Sequence, residues 1–107
     1  MLLRGVAGGV VAIAGYRGRH FQGYAVRVAD GWTCVASLGM TWSKIHCRTA
    51  EDARVTLRTM SHAARFDTFR DVDELIAVVT ALPPFQQPGI LPEQIAGLPA
   101  KLPRLVS

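Results

Sequence analysis

A chain of 107 residues makes one domain and leaves no room for two. Half of its residues are apolar and 19% are charged, which excludes a chain that is disordered throughout. A formal net charge of +4 and an isoelectric point near 9.7 suit an anionic partner without requiring one.

Residues 1–15 open with an apolar, glycine-rich run that faintly resembles a signal peptide. The run is too short to cross a bilayer. Val10, Val11 and Ile13 are β-branched and bracketed by glycines, so residues 9–16 read as a buried or interfacial strand. Its apolar residues are continuous rather than alternating, the mark of a strand covered on both faces. This reading makes the protein cytoplasmic, with no membrane partner.

Residues 16–48 read as an antiparallel meander. Tyr16-Arg17-Gly18-Arg19-His20 leads into Gly23-Tyr24-Ala25-Val26-Arg27-Val28, and Asp30-Gly31 turns the chain into Trp32-Thr33-Cys34-Val35-Ala36-Ser37-Leu38. Asp-Gly between two β-rich runs predicts a two-residue hairpin turn. That register sets Val28 against Thr33, Val26 against Val35, Arg27 against Cys34 and Ala29 against Trp32. From Thr41 the pattern alternates: Trp42, Lys44, His46 and Arg48 point one way, and Thr41, Ser43, Ile45 and Cys47 the other.

Thr49-Ala50-Glu51-Asp52 carries a cap residue, two first-turn acids and a capping-box carboxylate, and predicts a helix with Ala53, Leu57, Met60 and Ala64 on its buried stripe. Phe66 and Phe69 plug the junction that follows. Asp71-Val72-Asp73-Glu74 opens a second helix, with Val72, Leu75, Ile76, Val79 and Leu82 on its apolar face and Pro83-Pro84 as its stop. All six prolines lie from Pro83 onward, among leucines and isoleucines. Such a segment is too apolar for a solvated linker and is expected to wrap its own domain or a dimer partner. Within it, Pro92-Glu93-Gln94-Ile95-Ala96 reads as one helical turn.

The fold class expected is therefore α+β: an antiparallel sheet of about four strands, packed by two helices on one face, with an extended proline-rich C-terminal tail. Residues 1–82 form the domain and 83–107 the tail. The expected core is Val11, Ile13, Val26, Val28, Val35, Ile45, Leu57, Met60, Leu75, Ile76 and Val79.

No residue pattern supports catalysis. His20, His46 and His62 have no carboxylate or nucleophile at a telling spacing, and adjacent strand residues such as His46 and Cys47 face opposite ways and do not converge on a metal ion. Cys34 and Cys47 read as reduced thiols. Gly5, Gly8 and Gly9 lack the strand and spacing of a dinucleotide loop. The expectation is a non-enzyme without metal or cofactor.

Arginine outnumbers lysine: Lys44 and Lys101 are the only lysines. Arginine forks onto phosphate and stacks on bases, although a high-GC genome yields the same bias. Arg17, Arg19, Arg27, Trp32, Trp42, Lys44, His46 and Arg48 can share one exposed sheet face or its rim, which makes DNA or RNA the first candidate partner. The competing reading is a protein-interaction or dimerisation module of the adaptor or inhibitor type, using the apolar N-terminal strand and the tail. A homodimer is the default expectation for a small domain with this apolar excess.

Tyr16-Arg17-Gly18, Gly23-Tyr24-Ala25-Val26-Arg27-Val28, Leu38-Gly39 and Thr49-Ala50-Glu51-Asp52-Ala53 follow in an order that resembles the plant ethylene-response-factor type of DNA-binding domain, and the similar arm-binding domain of tyrosine integrases. The resemblance covers about half the chain. The interval from Gly39 to Thr49 is longer than in that family and has room for an extra strand. The resemblance implies a three-stranded sheet packed on one helix that enters the DNA major groove. It makes Arg17, Arg19, Arg27 and Trp32 the contact residues and gives the helix after Thr49 a supporting role.

Overall fold

Tyr24, Ile13, Val26 and Val35 are fully buried at the centre of the computed structural model, which describes residues 9–95. They lie in a five-stranded antiparallel sheet built from β1 (Ala12–Arg17), β2 (His20–Val28), β3 (Gly31–Leu38), β4 (Thr41–Cys47) and β5 (Arg65–Phe69). The strand order is β4-β3-β2-β1-β5. Four strands follow one another as hairpins. Helix α1 (Ala50–Ser61) then carries the chain from the β4 edge to the opposite edge, where β5 pairs antiparallel with β1. Helix α2 (Val72–Thr80) and a short 3-10 turn (Pro84–Gln86) complete the fold.

The α+β class and the proposed helix starts hold. Thr49 caps α1 by accepting from the Asp52 amide at 3.0 Å, and Asp71 caps α2 by accepting from the Asp73 amide at 2.9 Å. Three features differ from the sequence reading.

First, β5 is a strand, whereas the sequence reads Phe66 and Phe69 as a plug at the junction. Its five residues have charged or polar neighbours and no flanking turn signal. They become a strand by pairing with the edge of β1 that β2 leaves open.

Second, the helices lie on opposite faces. α1 covers Ile13, Ala25, Trp32, Cys34, Ala36 and Cys47 with Ala53 and Leu57. α2 covers Ala12, Ala14, Tyr24 and Val26 with Leu75 and Val79. The central strands are apolar on both sides, so one layer of helix cannot remove them from water.

Third, the β2–β3 register is shifted by two. Val28 pairs with Gly31, Val26 with Thr33 and Arg27 with Trp32, so Ala29 and Asp30 form the turn. Gly31 is the first residue of β3, and the position requires glycine because a Cβ there would collide with the Cys47 carbonyl oxygen and crowd the His46 ring. A shift of two preserves parity, so the assignment of side chains to faces along β2 and β3 survives.

Of the expected core, Ile13, Val26, Val35, Leu57, Leu75 and Val79 are buried, while Val11, Val28, Ile45, Met60 and Ile76 are half-buried. The described part of the tail folds back on the α2 face. The Tyr24 hydroxyl donates to the Ile90 carbonyl, Gln86 Oε1 accepts from the Phe21 amide at 3.1 Å, and Pro92 and Ile95 are buried at a helical turn. Residues 96–107 lie outside the described residues, as does the rest of the expected tail packing.

Candidate functional site

The eight residues singled out as a basic, aromatic face fall in four places. Arg17 and Arg19 are exposed at the β1–β2 turn, at one end of the sheet. Arg27 and Trp32 face each other across β2 and β3 on the α1 side. Trp42, Lys44 and His46 lie on the α2 side, with Trp42 packed against that core. Arg48 follows β4 at the end of the sheet remote from Arg17. A single shared sheet face is thus not formed, because the β3–β4 pairing sets Lys44 beside Val35 and leaves Trp32 beside Cys47. Nor is there an open three-stranded sheet of the kind the family resemblance implies, since helices close both faces.

A different basic grouping emerges. At the end of the sheet where α1 begins, Arg27, Arg48 and Arg54 line a cleft of about 560 Å³, together with Val10, Trp32 and Ala50. Arg27 and Val28 also line a second cleft of about 490 Å³, whose other walls include Arg70, Asp71 and Val72. Arg27 therefore sits between the two clefts, and Arg54, Arg48, Arg27 and Arg70 form an arc from one side of the sheet to the other.

The charge is real but not uniform. Arg54 is held at 3.1 Å by Glu51, one helical turn earlier. Among the described residues Arg27, Arg48 and Arg70 have no ion-pair partner. Asp71 is the acid within the second cleft, and its carboxylate is engaged by the Asp73 amide. The N-terminus of α1 adds its partial positive charge beside Arg48. Arg70 lies over Gly9, where a Cβ would come within 3.3 Å of its Nε.

Trp32 is 7% exposed, so it forms the wall of the first cleft and is not a free stacking platform. Trp42 is half-buried and belongs to the far end. The sequence reading missed Arg54 and Arg70. Neither stands in a motif: Arg54 joins the cleft only through the placement of α1, and Arg70 only through that of β5.

Cys34 and Cys47 are free, buried thiols on the α1 side, whereas His46 is exposed on the other side. Burial, with a smaller contribution from Cys47, pushes the Cys34 thiol up to about 12. Burial also raises Tyr24 above its ordinary value, with Glu93 and Cys34 adding to the effect. Among the described residues no three histidine, cysteine or acidic side chains gather as metal ligands, and no helix is long and apolar enough to cross a membrane. Comparison with protein-family models, curated proteins and solved structures finds no match.

Proposed function

We propose that the chain is a small non-enzymatic binding protein that holds nucleic acid by its phosphates along the arginine arc. The observation that carries this reading is the convergence of Arg27, Arg48 and Arg54 on one cleft, continued through Arg27 to Arg70. One phosphate needs one or two arginines, whereas a row around the end of a sheet suits a string of phosphates. Trp32 is buried, so the contacts are to backbone rather than to bases, and recognition is weakly dependent on sequence.

The test is fluorescence anisotropy with random duplex and single-stranded oligonucleotides at low and moderate salt. Binding that weakens steeply with salt supports the reading. No binding to either strand form at low salt refutes it.

A further inference from the structure

β4 and β5 are the outer strands, and among the described residues each pairs with one neighbour alone. Two bonds fix how β5 presents its backbone. The Phe69 carbonyl accepts from the Val11 amide at 2.8 Å, and the Tyr16 carbonyl accepts from the Ala64 amide at 2.8 Å. Arg65, Asp67 and Phe69 therefore turn their backbone groups toward β1, and the N–H and C=O of Phe66 and Thr68 point out of the sheet. Neither proline nor lysine blunts this edge. The side chains alternate as well. Arg65 and Asp67 stand on the α2 side, where the Arg65 guanidinium lies 4.3 Å from the Tyr16 ring centre and meets the Asp67 carboxylate at 2.8 Å. Phe66 is half-buried on the α1 side, with the Arg58 guanidinium 5.6 Å from its ring centre. A cation thus stands one residue before Phe66 and an anion one residue after it.

We infer that two copies of the chain join through β5, antiparallel about a two-fold axis at Phe66, into one continuous sheet. Backbone and charge together select this occupant and this register. The outward groups let Phe66 face its own copy or the partner's Thr68. With Phe66 facing its own copy, Arg65 lies opposite the partner's Asp67 and Asp67 opposite the partner's Arg65, so each carboxylate gains a second guanidinium. With Phe66 facing Thr68, Asp67 would face its own copy, and like charges across a strand pair repel. Thr68 facing its own copy needs the Arg70 amide, which already donates to the Glu74 carboxylate at 3.3 Å. β4 offers no such self-match, since it has Lys44 and neither aspartate nor glutamate. A partner of other sequence would have to bring an anion and a cation at this spacing, whereas symmetry makes a second copy supply both. The two Phe66 rings then meet across the axis and cover apolar surface that each copy leaves half-exposed. The interface uses no side chain of the arginine arc, so it stands whether or not nucleic acid binds there.

The experiment uses the full chain and three charge variants: Arg65→Asp, Asp67→Arg and the two together. Sedimentation equilibrium is run from about 1 μM to about 1 mM, which spans the affinities a small interface gives. Wild type is expected to pass from monomer to dimer. Each single variant sets like charges against each other twice and should dimerise at least about ten-fold more weakly. An equimolar mixture of the two single variants restores both opposite-charge pairs and should associate about as tightly as wild type. So should the double variant, in which the two signs are exchanged. This rescue separates a lost contact from a damaged fold. Residue-resolved hydrogen exchange gives a second readout. Concentrating wild type should slow the Phe66 and Thr68 amides, which face the partner, and leave Asp67 and Phe69 as slow as in the monomer.

A chain that stays monomeric across the range overturns the proposal. So does dimerisation that ignores the charge variants, a mixture no tighter than its components, or protection that falls on β4 instead. Growth beyond the dimer would place β5 of one copy on β4 of the next in an open array, and overturns it equally.

Discussion

Arg27→Ala is the sharpest perturbation of the arginine arc, because Arg27 is the one arginine that lines both clefts. Its side chain is exposed and, among the described residues, has no ion-pair partner, so removing it costs the fold little. Arg54 already shares its charge with Glu51, so under the proposed reading Arg27, Arg48 and Arg70 would supply the phosphate contacts. Three contacts to duplex DNA give a slope of log affinity against log salt of about −2.7. Raising salt from about 50 mM to about 200 mM should then weaken wild type about 40-fold. With Arg27 removed the slope falls to about −1.8, and the same change in salt should weaken binding only about 12-fold. The assay is fluorescence anisotropy over a salt series, with Arg19→Ala at the far end of the sheet as the control. A slope unaffected by Arg27→Ala, or lowered as much by Arg19→Ala, would refute the assignment of the phosphates to this arc.

Gly23→Ala should destabilise the domain by about 1–3 kcal/mol in urea unfolding, because its Cβ would stand 2.6 Å from the Val35 carbonyl oxygen and 2.8 Å from Leu57 Cδ2. An unchanged midpoint would mean that β2 and β3 are not so closely packed. Tyr24→Phe removes the hydroxyl that donates to Ile90 and should cost about 1 kcal/mol, a fall of roughly 4–8 °C in melting temperature. The same variant should speed proteolysis near Ile90 if that bond ties the segment after α2 to the sheet. Cys34 has a folded-state pKa of about 12 against an ordinary 9.0, so the stability it contributes is complete below pH 9 and is lost progressively as pH rises toward 12. Cys34→Ala should flatten that alkaline decline by up to about 1.4 kcal/mol per pH unit, measured by urea unfolding. An identical decline in wild type and variant would remove Cys34 as its cause.

Local chemistry alone marks much of this protein. Thr49 and Asp71 announce their helices because a cap needs only a side-chain oxygen and an amide a few residues on. The β2–β3 hairpin and the two-sided burial of the N-terminal strand are likewise visible in residues a few positions apart. Parity along β4 was correct for the same reason: side chains alternate whatever the strand pairs with.

What the sequence could not carry is non-local. β5 exists because β1 offers it an edge, and α2 takes the second face because α1 already occupies the first. The register of β2 on β3, with Val28 opposite Gly31, differs by two from the one the Asp30-Gly31 pair suggests, and Gly31 lies so close to β4 that a Cβ there would strike the Cys47 carbonyl. Non-local pairing also redraws the candidate site. The β3–β4 pairing parts Trp32 and Arg27 from Trp42, Lys44 and His46, and α1 and the segment after β5 bring Arg54 and Arg70 to Arg27 and Arg48 from elements far apart in the chain. Composition and alternation determined that the protein is a basic α+β domain with caps and hairpins in known places. Which charges stand together was decided only when segments far apart in the chain shared one sheet, because pairing between distant segments depends on what each leaves unsatisfied.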